Sequence, residues 1–145
     1  MNQFFFIRVI CLILSFWALS ANGQESQHDD LCGAFAVQDV GVSVQGYQPD
    51  TQDGMSYYNI GAGELRKGFV ISLRDTSFKV YSFVIAYSSK NRFSKYYVTG
   101  PQANRNNARL LKRVEEGDLL SVECVTVIKK GQMYSSNSVW INVKK

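Results

Sequence analysis

Apolar residues along most of this chain recur at every second position, the period of a strand buried on one face. Over positions 34–44 the apolar set changes parity between Val37 and Val40, which predicts one strand with a bulge near Gln38-Asp39. Positions 45–64 hold Gly, Pro, Asp and Gln, with Asp53-Gly54 as a turn signal, and predict a long loop with one short strand at Tyr57-Tyr58. Phe69, Ile71 and Leu73 then alternate with Val70, Ser72 and Arg74. After a turn at Asp75-Thr76-Ser77 the run 78–87 is apolar on both parities, so the two segments predict a hairpin whose second strand is central and covered on both faces.

Beyond the strand-like Tyr96-Tyr97-Val98 the period changes. Gly100 is placed to cap a helix and Pro101 to start it, and Ala103, Asn107, Leu110, Leu111 and Val114 follow on one helical face. Gly117 ends it. The opposite face carries Arg105, Arg109 and Lys112, like charges that repel by about a few tenths of a kcal/mol per pair. Positions 119–128 predict a long strand, Lys130-Gly131-Gln132 a hairpin turn, and Val139, Ile141 and Val143 a final strand with Trp140 on its other face. The sum is a mainly β fold, a small antiparallel β-sandwich of Ig-like type with one short crossing α-helix, occupying positions 34–145 as a single domain.

The N-terminus reads as a signal peptide over 1–23. Arg8 supplies the positive charge, positions 9–19 are almost wholly apolar, and Ala21-Asn22-Gly23 offers small residues for cleavage, so the mature chain is expected to begin at Gln24 with a flexible acidic leader over 24–33. Counted from Phe4 the apolar run is about 16 residues against roughly 20 needed to span a bilayer, so no permanent membrane anchor is expected. The product is then periplasmic or secreted. Cys11 leaves with the signal, and Cys32 and Cys124 remain as either one disulfide or two separate thiols. Two cysteines do not make a structural zinc site unaided, and the single histidine, His28, lies in the leader, so no metal is expected.

With 145 residues, 46% apolar, 19% charged and 13% aromatic, the composition excludes collagen-like, coiled-coil and wholly disordered chains. Charge adds more. Positions 24–65 carry seven acids and no Lys or Arg, whereas 66–114 carry eleven bases against Asp75. Either the acidic part neutralises the basic part internally, or the basic part faces an acidic partner. Bases and aromatics interleave over 90–97, but an exported protein does not normally meet nucleic acid, so that partner is not expected.

Nothing in the chain spells out catalysis. A nucleophile-histidine arrangement would need a histidine on an ordered element. Glu115, Glu116, Asp118 and Glu123 read as turn and strand-edge charges instead of a pair held across a cleft. Neither a dinucleotide-binding glycine pattern nor a phosphate loop is present, and no cofactor is expected.

Three stretches carry a resemblance: GFVISLRDTSFKVYSFVIAY from Gly68, LLKRVEEGDLLSVECVTVI from Leu110, and KKGQMYSSNSVWINVKK to the end. The Ser82-Phe83 strand core, the Leu110-Leu111 pair, the Gly117-Asp118 stop and the Lys-Gly turn before a serine-containing strand are similar to the C-terminal domain of the gliding-motility and type IX secretion GldM/PorM family, over about 68–145. The resemblance implies a periplasmic β-sandwich of Bacteroidetes type, without catalysis, working through protein contacts in the cell envelope. A cleaved signal in place of that family's retained anchor makes this chain a stand-alone exported relative. The expected function is therefore a non-enzymatic protein-protein interaction module, with Tyr96, Tyr97, Arg105, Arg109 and Lys112 as its partner-binding surface. The expected partner is a cell-envelope protein, with a homodimer also open. The alternative is a glycan-binding or adhesive sandwich stacking sugars on Tyr58, Tyr134 and Trp140. A small hydrolase, or an inhibitor presenting the 45–64 loop, ranks third.

Overall fold

A computed structural model describes residues 32–52, 55–90 and 92–145. The expected signal segment, Cys11, His28, most of the acidic leader and the Asp53-Gly54 turn lie outside the described residues. What is described is mainly β, a small sandwich of two sheets. Its strands are β1 (Val42–Val44), β2 (Asp50–Gln52), β3 (Met55–Gly61), β4 (Phe69–Leu73), β5 (Lys79–Ser89), β6 (Arg92–Thr99), β7 (Gln102–Ala103), β8 (Leu119–Lys129), β9 (Gln132–Ser136) and β10 (Val139–Lys144). A single α-helical turn, α1 (Ala62–Leu65), follows β3, and a 3-10 turn spans Arg109–Arg113. No helix among the described residues is long and apolar enough to cross a membrane.

The larger sheet runs β2-β3-β10-β8-β5-β6, and the smaller β1-β4-β7. β8 organises the larger one. One edge pairs with β5, and the other pairs first with β10 at its start and then with β9 toward its end. The β8–β9 hairpin closes through Lys130 (φ 50°) and Gly131 (φ 80°), the left-handed pair that a two-residue turn requires. Pairing is antiparallel except between β3 and β10, which run parallel, and at a bridge from Val37 to Ser135.

Alternation sorts the side chains. Phe83, Ile85 and Tyr87 of β5, Leu120, Val122, Val125 and Val127 of β8, and Val139, Ile141 and Val143 of β10 share one core with Val44, Phe69, Ile71, Leu110, Leu111 and Val114. The Phe69 and Phe83 rings, 6.3 Å apart, join the two sheets. Val84 and Ala86 are buried as well but outside that core, as expected of a strand covered on both faces. Keeping both Val122 and Val125 inward needs one extra residue between them. The register against β5 slips there, and Cys124 takes the left-handed conformation of a bulge (φ 50°).

Four expectations change. The strand over 34–44 is broken: Gln38 N–H and Ser135 N–H bond Ser135 O and Ala36 O, holding 36–38 to β9, while Gly41 (φ 65°) redirects the chain so that β1 joins the other sheet. The loop over 45–64 is a β2–β3 hairpin followed by α1, and β3 is an interior strand of seven residues. Its signal is weak because only Tyr58 and Ile60 point inward, while Ser56, Asn59 and Gly61 interrupt them.

Next, β4 and β5 are not a hairpin. They belong to different sheets, joined by an arch in which Asp75 Oδ1 accepts from Ser77 N–H (2.9 Å) and Ser77 Oγ (2.6 Å). Last, the helix expected to start at Pro101 is replaced by β7, a turn and the short 3-10 segment. Gln102 and Ala103 pair with Val70 and Phe69, and asparagine side chains take over the backbone beyond them. Asn104 Oδ1 accepts from Asn106 and Asn107 N–H, Asn107 Oδ1 from Asn104 N–H, and Asn107 Nδ2 donates to Gln102 O. Such local bonds compete directly with helical ones. The buried positions Ala103, Ala108, Leu110, Leu111 and Val114 still face the core, whereas Asn107 is exposed.

Candidate functional site: a basic cleft beside the edge strand

β6 runs antiparallel to β5, and the Ser89–Arg92 end of this strand pair lies beside the 3-10 segment. Tyr87 and Ser89 come from β5, and their cross-strand partners Ser94 and Arg92 from β6, with Tyr96 one step further on the same face. The 3-10 segment supplies Leu110 as an apolar wall and Lys112 and Arg113 as a rim. Together with Lys90 and Glu115 these residues line a cleft of about 560 Å³. Four cations, Lys90, Arg92, Lys112 and Arg113, thus surround one carboxylate, and all five side chains are exposed. A concave wall concentrates the field of such a set, which favours an anionic group.

The floor is held by Asp118. Its carboxylate is buried and accepts from Tyr87 Oη (2.8 Å) and Glu115 N–H (2.8 Å), while its carbonyl accepts from Val143 N–H (3.1 Å). Burial, with the neighbouring Asp118 carboxylate adding to it, pushes the Tyr87 phenol above its ordinary range. Asp118 therefore locks the turn between the 3-10 segment and β8 to the strands lining the cleft. A second cavity of about 420 Å³ adjoins, sharing Ser89, Lys90 and Glu115 and including Asp118 and Leu119.

The five residues expected to form one binding surface are divided. Tyr96 and Lys112 meet in the cleft. Arg109 sits exposed on the 3-10 segment but does not line the cleft, and Arg105 Nε donates to Arg66 O (2.5 Å), beside the end of α1. Tyr97 takes the opposite sheet face from Tyr96, as strand alternation demands. The helical spacing that grouped Arg105, Arg109 and Lys112 does not exist here, because only Arg109 and Lys112 share a helical segment.

Sequence reasoning missed Lys90, Arg92, Arg113, Ser94 and Tyr87 as partners of Tyr96. The usable signal was the two-residue spacing of Arg92, Ser94 and Tyr96, which places all three on one face. The sulfurs of Cys32 and Cys124 are bonded, with Cα atoms 4.9 Å apart, tying the first described residue to the β8 bulge.

Of the aromatics considered for sugar stacking, Tyr58 is a core residue at 1% exposure, and burial raises its phenol above the ordinary range. Tyr134 stands edge-on to Phe78 at 5.6 Å and donates to Gln132 Oε1 (2.8 Å). Trp140 is half-buried on the outer face, paired across strands with Tyr57. Among the described residues one ion pair joins the acidic and basic stretches, Glu64 with Lys67 at 2.9 Å, and neither residue lines the cleft.

No family profile matches the chain, and no curated protein or solved structure matches it.

Proposed function

We propose that this chain is a non-enzymatic, exported protein-protein interaction module of the bacterial cell envelope, a stand-alone relative of the GldM/PorM C-terminal domain. The observation that carries the reading is the cleft of Lys90, Arg92, Lys112 and Arg113, set beside an eight-residue edge strand on a sandwich scaffold. β6 presents Arg92, and Asp118 fixes the turn after the 3-10 segment that brings Lys112 and Arg113 to it. A disulfide suits a periplasmic or secreted chain. The test is crosslinking of the tagged full chain in envelope extract, with Lys112→Glu/Arg113→Glu as control and mass spectrometry as readout. A protein captured by the wild type and lost by the control is the expected result. Identical capture by both removes the cleft from the function.

One observation favours a second reading, glycan binding. Tyr57 and Trp140 are cross-strand partners, and Asn59 and Asn142 form the next pair on the same face, with Asn142 Nδ2 3.5 Å from Asn59 Oδ1. An aromatic pair beside two amides is a combination that stacks and hydrogen-bonds sugars. Binding on a glycan array lost in Trp140→Ala, with protein capture unchanged by cleft reversal, would establish this reading over the first.

A further inference from the structure

We infer that the basic cleft binds a sugar phosphate, its phosphomonoester among Lys90, Arg92, Lys112 and Arg113 and its sugar against Ser94 and Tyr96. The inference goes beyond the interaction reading and does not rest on it, because it needs no partner protein. It starts from where the core ends. The inward-facing row of β5 runs Phe83, Ile85, Tyr87 and Ser89, and the cross-strand partners on β6 are Val98, Tyr96, Ser94 and Arg92. Both rows pass from apolar through hydroxyl-bearing to polar side chains as they reach the cleft. The cleft therefore lies over the inner face of the larger sheet at its polar end, with the buried Leu110 as its apolar wall.

Charge dictates the anionic group. Four cations against Glu115 leave an excess that a carboxylate or a sulfate ester, with one negative charge, balances only in part. A phosphomonoester carries about −1.5 to −2 at pH 7 and three strong acceptor oxygens. The guanidinium forks of Arg92 and Arg113 match phosphate oxygens in pairs, and Lys90 and Lys112 add point charges. Among the described residues none of these four side chains spends its charge on a hydrogen bond or ion pair within the chain. The adjoining cavity limits length: it adds Glu116 and Asp118, so a polyanion running on from the cleft meets carboxylates. One phosphoryl group on a compact neutral body fits, and the cleft volume of about 560 Å³ lies within the roughly 300–1,000 Å³ of small-molecule sites. Side chains project from a sheet face while main-chain groups lie in its plane, so the cleft presents hydroxyls and a ring, not the main-chain row that a peptide reads. Ser89, Ser94 and the half-buried Tyr96, an apolar ring with a polar tip, suit the hydroxyls and C–H face of a sugar.

The test is titration calorimetry on the full chain with glucose 6-phosphate, mannose 6-phosphate and N-acetylglucosamine 1-phosphate. The comparison probes are glucose 6-sulfate, inorganic phosphate and vesicles containing phosphatidic acid, a phosphomonoester without a sugar. At least one sugar phosphate is expected to bind roughly tenfold more tightly than the sulfate ester or inorganic phosphate, and to weaken as salt rises. Arg92→Ala/Arg113→Ala should weaken it by roughly tenfold or more. Glu115→Gln, which removes the opposing carboxylate, should tighten it by about two- to fivefold. A misfolded chain loses binding and does not gain it, so this second variant separates charge from folding. Substituting Lys130, an exposed cation on the β8–β9 turn, by Glu should leave affinity unchanged.

Binding of none of the three sugar phosphates, equal affinity for the sulfate ester or inorganic phosphate, or preference for the vesicles each overturns the inference. So does affinity left unchanged by Arg92→Ala/Arg113→Ala or by Glu115→Gln. If no sugar phosphate binds while envelope crosslinking captures a protein through Lys112 and Arg113, this inference falls and the interaction reading stands. If a sugar phosphate binds as expected and crosslinking captures nothing through the cleft, the interaction reading falls and this one stands.

Discussion

Gly68 offers a sharp check on how the two sheets are joined, because its backbone conformation and its surroundings penalise a side chain separately. Its φ is 104°, and a Cβ there would press into the carbonyl oxygen of Ala103 and come within 3.2 Å of Asn104 Cα. Those are backbone atoms of the β7 segment, which pairs with β4 one residue away through Phe69 and Ala103, so they cannot rotate aside. Gly131 is the control: φ is 80°, with nothing within 4 Å of the Cβ position.

For Gly131→Ala the left-handed conformation costs about 1–2 kcal/mol, and the lower entropy of the unfolded chain returns about 0.4–1, leaving a net loss near 1. Gly68→Ala carries the same terms plus an overpacking cost of about 1–3 kcal/mol, for a net loss of about 2–4. At roughly 3–5 °C per kcal/mol for a domain of this size, Tm should fall by about 4 °C in Gly131→Ala and by about 10 °C or more in Gly68→Ala. Thermal and urea unfolding followed by circular dichroism reads both. If the two variants melt within about 2 °C of each other, the close approach of β4 and β7 is not as described and the argument for their pairing fails.

Three further outcomes follow from the same contacts. Cys32 and Cys124 are 92 residues apart, so removing the disulfide by Cys32→Ala/Cys124→Ala should cost about 2–4 kcal/mol, below a chain-entropy ceiling of about 4.6; unchanged urea stability would mean the bridge does not form. Asp118→Ala strips the acceptor from Tyr87 Oη and Glu115 N–H, and should cost about 2–3 kcal/mol and raise hydrogen exchange across 113–119, whereas exchange unchanged there would contradict its anchoring role. Tyr58 and Tyr87 both have raised phenol pKa values, with burial the largest cause, so the folded state holds their protons where the unfolded state has lost them. Their stability contribution is intact below about pH 10, the unfolded value, and is lost as pH rises through the folded values. Ultraviolet titration should show these two ionising above the ordinary phenol range, and their ionisation near pH 10 in the folded chain would contradict their burial.

The charge pattern and the cleft are related without being the same thing. The basic excess over 66–114 is a fact of sequence, yet only Lys90, Arg92, Lys112 and Arg113 of its eleven bases converge on the cleft. Arg66 donates to Val114 O at 2.9 and 3.2 Å, Arg105 donates to Arg66 O, and Lys67 pairs with Glu64. Cations used in this way brace turns and strand ends and do not form a binding face.

Local pattern alone determined much of this protein. Two-residue alternation marked β4, β8 and β10 and the mainly β class, apolar residues on both parities marked β5 as central, and Lys130-Gly131 marked the hairpin, because each depends on neighbours within a few residues. Tertiary structure decided the rest. β3 is a strand because β10 lies beside it in parallel, a pairing across about eighty positions that local composition does not encode. The segment from Pro101 has helical spacing, yet β4 claims Gln102 and Ala103 and the asparagines claim the backbone beyond, overriding a weak propensity. The cleft is the clearest case: Arg92 and Tyr96 come from one strand, Lys112 and Arg113 from a segment some twenty residues on, and only the fold of Asp118 against Tyr87 brings them to one wall. Alternation names the face a residue takes, but long-range packing chooses what that face meets.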